Sequence, residues 1–247
     1  GQQALVNDAC EYINPTDQWR STMMANSARD PLWRAKVSHE VLVNPGLQNE
    51  IENTCTRCHA PAGNHFDDLT GNDPFTIAEM EASNLALDGV NCTVCHLQTD
   101  SILGQNFSGT MFFDLDKVIY GPYPNPFAGP MFAFVGYDVA EGPHLQEGAF
   151  CASCHTLVTG TIDLGGTPTG DSFIEQATYH EWVNSDYNNL GTASCQTCHM
   201  PQIADSVWLA AGYTSIDKRS PYGHHYFVGG NAFMLKILKA HIPELGL

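Results

Sequence analysis

Eight of the nine cysteines fall into four copies of one pattern. These are Cys55-Thr56-Arg57-Cys58-His59, Cys92-Thr93-Val94-Cys95-His96, Cys151-Ala152-Ser153-Cys154-His155 and Cys195-Gln196-Thr197-Cys198-His199. Two thiols three positions apart can reach one porphyrin edge and form thioethers with its two vinyl groups. The histidine that follows is then placed under the iron. This is the attachment signature of c-type haem. A thioredoxin-like Cys-x-x-Cys occurs once and needs no histidine. Zinc sites pair such units but do not fix His after each, and a disulfide framework needs no His at all. The reading is four covalent c-type haems with their irons. Cys55, Cys58, Cys92, Cys95, Cys151, Cys154, Cys195 and Cys198 hold the cofactor, and His59, His96, His155 and His199 are the proximal ligands.

Four irons need four further ligands, and seven histidines remain, so every haem can be closed by a second imidazole. The candidates are His144, His225, His65, His180 and His39, ahead of His224 and His241. His65 follows His59 by six residues, and a loop of that length carries it to a neighbouring haem. His144 lies in Gly-Pro-His before the third motif, and His180 on an expected helix before the fourth. His225 opens His-Tyr-Phe-Val-Gly-Gly-Asn, where paired glycines allow a macrocycle to come close. His39 ends a helical stretch over 27–43. The methionines read as packing residues, so bis-histidine ligation is expected, with lower potentials than His/Met ligation.

The elements that position these groups must be built around them. With 247 residues there are about 62 per haem, so the expected fold is mainly α with long irregular loops, a haem-dominated core and little β. One domain is expected over 1–247: an arm and helix over 1–44, a haem-binding core over 45–230 and a C-terminal helix over 231–247. The motif starts at 55, 92, 151 and 195 do not form a strict repeat. Asp30-Pro31 reads as an N-cap followed by Pro at the first helical position. Helices are expected over 17–43, 75–88, 175–190 and 231–242, the last ended by Pro243. A wrapping loop with short strands is expected over 100–149, and a hairpin or loop over 159–172. The net charge of -17 argues against nucleic acid and anionic membranes as partners. No run of apolar residues is long enough to span a bilayer. The chain starts at Gly1 and reads as a mature product freed of its leader. Haem attachment of this kind occurs outside the cytoplasm, so an extracellular, cell-surface or periplasmic location is expected. Cys10 is left over, and the sequon at Asn106 reads as unused.

Further patterns carry a resemblance. They are Met24-Ala-Asn-Ser-Ala-Arg-Asp-Pro31, Asp88-Gly-Val-Asn-Cys92, Glu181-Trp-Val-Asn-Ser185, Cys195-Gln-Thr-Cys-His-Met-Pro201 and His225-x-Phe-x-Gly-Gly-Asn231. Together they resemble multihaem cytochromes of the cytochrome c-554 type. The resemblance implies a mostly helical fold with stacked haem pairs and crossed ligation: His144 for the first haem, His65 for the third, His180 for the fourth, and His225 or His39 for the second. A looser resemblance is to secreted multihaem cytochromes that polymerise into conductive filaments. The reading is electron transfer, to redox partner proteins or extracellular acceptors. Either a filament or surface conduit formed by self-association, or a discrete periplasmic shuttle, would serve. His39, the only histidine before the first motif, motivates the filament form. A reductase of nitrite, hydroxylamine or nitric oxide needs an open iron, often with Lys ligation, and no Cys-x-x-Cys-Lys occurs.

Overall fold

The computed structural model describes residues 3–113, 115–213 and 216–245. Helix α1 (Pro15–Arg20) is capped by Asn14, and a 3-10 turn over Ser27–Arg29 follows. The Asp30 carboxylate accepts from the Leu32 and Trp33 amides, and Pro31 opens α2 (Pro31–Val43). The expected helix over 17–43 is thus broken, because the Met23–Asn26 segment turns back onto the second motif: the Val90 amide donates to the Met24 carbonyl at 3.0 Å. His39 therefore lies inside α2 rather than at its end.

Helix α3 (Gln48–His59) runs into α4 (Pro61–Thr70), which starts on a proline and stops at Gly71 in the left-handed region. His65 is on this helix, not on a loop. Gly63 of α4 meets the backbone of α6: a Cβ there would stand 2.8 Å from the Cα of Ala86. The expected helix over 75–88 is two, α5 (Ile77–Ala82) and α6 (Asn84–Leu87), because Ser83 is extended and caps the second. Helix α7 (Cys92–His96) follows.

The 100–149 segment is less irregular than expected. Strand β1 (Val118–Gly121) pairs in parallel with β2 (Asp138–Glu141), and α8 (Ala128–Val135) makes the crossover that a parallel pair requires. Two 3-10 turns lead to the third motif. Strands β3 (Leu157–Ile162) and β4 (Pro168–Gln176) form an antiparallel hairpin, the hairpin form of the two expected over 159–172, extended at both ends. Helices α9 (Thr178–Val183), α10 (Asp186–Asn189) and α11 (Cys195–His199) come next. The 175–190 segment thus starts in a strand and is split, the Ser185 hydroxyl donating to the Trp182 carbonyl at the break. A short pair, β5 (Gln202–Ile203) and β6 (Tyr222–Gly223), precedes α12 (Ala232–Ala240). Pro243 does not end this helix. The break is at His241, and Pro243 sits in the first turn of α13 (Ile242–Leu245), where its missing N–H costs nothing.

The fold is mainly α with loops. Buried apolar residues form two small clusters, one around Ala28, Ala60, Phe75, Met80 and Ala86, the other around Ile13, Val207 and Tyr222. The second ties the chain's two ends, since the Tyr222 hydroxyl donates to the Ile13 carbonyl at 2.6 Å. The chain exposes 14146 Å², whereas a compact monomer of 27.0 kDa exposes about 10,800 Å². Phe134, Phe233, Leu190 and Leu42 are among the large apolar side chains left uncovered by polypeptide. None of the described helices is long and apolar enough to cross a membrane.

Candidate functional site

Three motifs sit on helices: the first closes α3, the second is α7 and the fourth is α11. Positions three apart on a helix share a face, so each cysteine pair points one way. The residue before the first cysteine caps two of them. The Asn91 carboxamide accepts from the Thr93 and Val94 amides, and Ser194 forms a capping box with Thr197. The third motif instead follows the 3-10 turn Gly148–Cys151.

The motifs adjoin one another. A Cβ at Gly109, whose amide donates to the Ser153 carbonyl, would stand 3.1 Å from the Cys58 sulfur, and the Gln196 carboxamide donates to the Leu145 and Glu147 carbonyls. The partner thiol, Cys154 for Cys58 and Cys151 for Cys195, holds Cys58 and Cys195 down, Cys195 to about 7, while Cys151 and Cys154 are pushed up by their partners and by burial. Burial pushes Cys95 up to about 12 and Cys55 to about 11. The third motif is thus the junction, with the first and fourth against it.

Three motif histidines have the same arrangement. Nδ1 of His59 faces the Ser27 carbonyl at 3.2 Å, Nδ1 of His96 the Tyr120 carbonyl at 2.6 Å, and Nδ1 of His199 the Val228 carbonyl. A carbonyl oxygen only accepts. Each Nδ1 therefore carries the proton, and Nε2 keeps the lone pair that a metal takes. Burial pushes His59 and His96 below the usual imidazole value, which keeps them in this neutral form.

The remaining histidines divide. His225 donates from Nδ1 to the Gly223 carbonyl at 3.1 Å, and burial lowers it to about 4. Its ring stands 6.4 Å from that of His96, the planes 23° apart. Two imidazoles on opposite sides of one metal have centroids about 6 Å apart when each metal–nitrogen bond is about 2 Å. His144 is buried and bonds through Nε2 to the Gln98 carbonyl at 2.9 Å, which leaves the lone pair on Nδ1. His65 Nε2 and His180 Nδ1 are buried without a partner, a costly state for a polar atom. His65 lines a cavity of about 180 Å³ with Arg57 and Met111, and the Met111 sulfur is 4.0 Å from that of Cys154. His180 packs on Phe107 at 5.1 Å. His39 and His241 face solvent beside Glu40 and Glu244. His224 is buried, with Nδ1 2.7 Å from the Gln18 carboxamide.

These features fit a c-type haem at the motifs: same-facing thiols, imidazoles with Nε2 free, and orphaned imidazole nitrogens. A cavity of about 460 Å³ beside the fourth motif, lined by Gly148, Tyr179, Trp182 and Ser194, adds an apolar, partly aromatic wall. No cluster of His, Cys, Asp and Glu suited to a bare metal ion occurs among the described residues.

Three residues hold these groups without belonging to the haem motifs, and only Ser27 lies in a pattern the sequence marks. Trp33 stacks on His59 at 4.3 Å with planes 5° apart. The Ser27 hydroxyl donates to the His59 carbonyl at 2.7 Å. Gln18 is buried between α1 and the two adjacent histidines. Each is an unremarkable letter in sequence. Only the spacing Met24–Pro31 marks their neighbourhood.

Comparison with known proteins agrees in class. Residues 9–97 match the family model of cytochrome c554 and c-prime. The matched stretch contains the first two motifs, and the chain resembles that family there. The match supports c-type haem and electron transfer as the class of chemistry. No curated protein and no solved structure matches the chain.

Proposed function

We propose that this chain is an electron-transfer protein that holds four covalent c-type haems, each closed by two histidines, and that it works outside the cytoplasm as a conduit. The observation that carries the reading is the contact between motifs: Gly109 bridges the first and third, and the Gln196 carboxamide ties the fourth to the turns before the third. A haem held at each motif would supply a one-electron iron couple, and the contact between motifs would keep the groups near one another.

The protein's own part is positional. The thiol pairs fix each macrocycle by one edge. Backbone carbonyls at Ser27, Tyr120 and Val228 hold the motif imidazoles with Nε2 free and raise their basicity. His225 stands across from His96. His65, His180 and His144 supply the second imidazole at the other three, by the pairing the family resemblance implies. The acidic surface favours cationic docking partners.

We extend the proposal to self-association into a filament at the cell surface. The exposed His39 on α2 and the apolar, lysine-bearing face of α12 (Phe233, Leu235, Lys236, Ile237, Lys239) favour a neighbouring copy of this acidic chain. Negative-stain electron microscopy of the haem-loaded protein at micromolar concentration tests it. Regular filaments are expected, whereas dispersed single subunits would leave the shuttle. Carbon monoxide added to the reduced protein tests closure of the irons. No Soret shift is expected, and a shift would favour an open, catalytic iron.

A further inference from the structure

Two adjacent histidines, His224 and His225, both bond to Gln18, and only the His225 ring stands against a motif histidine, His96. We propose that Gln18 is the positioning residue that makes the choice, by fixing the tautomer of His224 so that its ring offers no lone pair. The inference rests on the reading that His225 closes the haem of the second motif.

The argument follows from donors and acceptors alone. The Gln18 side chain makes two contacts: Oε1 with the His225 backbone N–H at 2.8 Å, and Nε2 with Nδ1 of His224 at 2.7 Å. A backbone N–H only donates, so the atom facing it must be the carboxamide oxygen, and the other atom must be the NH2 group. That group only donates, so Nδ1 of His224 must accept. A neutral imidazole that accepts at Nδ1 carries its proton on Nε2. Both nitrogens of His224 are then committed, one lone pair to Gln18 and the other nitrogen to hydrogen. His225 has the opposite arrangement. Its Nδ1 donates to the Gly223 carbonyl, which leaves the lone pair on Nε2 of a ring 6.4 Å from that of His96.

The surroundings hold the arrangement still. Gln18 is 7% exposed and His224 9%. The His224 ring stacks on Tyr226 at 4.9 Å, and its backbone N–H donates to the Pro201 carbonyl at 3.0 Å. A buried carboxamide in α1 thus acts at a distance of more than two hundred residues along the chain.

The test is a set of variants of the haem-loaded chain, read by electron paramagnetic resonance and near-infrared magnetic circular dichroism. Gln18→Glu is close to isosteric. At pH 8 a carboxylate still accepts from the His225 N–H, but it can only accept from His224. That ring must then carry its proton on Nδ1 and free Nε2, the carboxylate–histidine arrangement that favours metal binding. His225→Ala alone is expected to give one high-spin haem per chain. Adding Gln18→Glu to His225→Ala is expected to return that haem to low spin through His224, while Gln18→Glu alone stays low-spin throughout. The proposal is overturned if the double variant stays high-spin. It is equally overturned if His225→Ala remains low-spin and becomes high-spin only when His224→Ala is added. If the chain stays low-spin even without both histidines, the ligand reading of His225 itself falls.

Discussion

The Trp33 indole lies flat on the His59 imidazole, with ring centroids 4.3 Å apart and planes 5° from parallel. With Nδ1 of His59 directed at the Ser27 carbonyl, the imidazole plane is held at both face and edge. If His59 holds an iron as proposed, the orientation of its ring would bear on the redox couple.

Trp33→Leu should therefore shift the electron paramagnetic resonance signature and potential of one haem and leave the others unchanged. The lost aromatic contact should lower stability by about 1 kcal/mol. Unchanged spectra would show that Ser27 alone holds the ring.

Gly109 joins the first and third motifs. Its φ is +78°, and a Cβ there would stand 3.1 Å from the Cys58 sulfur and press on the Arg57 side chain. Its amide donates to the Ser153 carbonyl at 2.7 Å. Gly109→Ala combines a left-handed residue, costing about 1–2 kcal/mol, with that clash. Poor haem incorporation at the first and third motifs is expected, measured by the haem content of tryptic peptides.

Gln196 binds the fourth motif to the turns before the third. Its carboxamide donates to the Leu145 and Glu147 carbonyls at 3.0 and 2.8 Å. Gln196→Leu leaves both carbonyls without that donor and should cost about 1–3 kcal/mol in urea unfolding.

Thr76 and Glu79 form a capping box that starts α5, whose Met80 is fully buried. Bonds from the Thr76 hydroxyl and amide hold the Glu79 carboxyl below its usual value. A group with a depressed folded value stabilises above its unfolded value and loses that contribution as pH falls through the folded one. Stability should therefore drop modestly on acidification below about pH 4.5. Thr76→Ala should cost about 1 kcal/mol at neutral pH and flatten this acid dependence. An unaltered pH profile would rule out the box as its source.

The motif cysteines and their histidines are legible in the sequence because covalent attachment demands one local spacing. The cap at Asp30-Pro31 and the mainly helical class are legible for the same reason, since each depends on neighbours in the chain. The breaks at Ser83 and Ser185 are not, because short polar residues satisfy the backbone there only once the flanking segments have packed. His65 reads as a loop residue from its Gly and Asn neighbours, yet the close approach of Gly63 to Ala86 favours helix. Trp33, Ser27 and Gln18 act across 26 to 207 positions of chain, beyond any local pattern.

The central claim is that all four motifs carry haem. Intact mass under denaturing conditions, on protein made in a host that attaches c-type haem, tests it most directly. The account predicts the polypeptide plus four haem groups, and the loss of one group each time the two cysteines of a single motif are replaced by serine. A mass equal to the polypeptide plus fewer than four haems would contradict it.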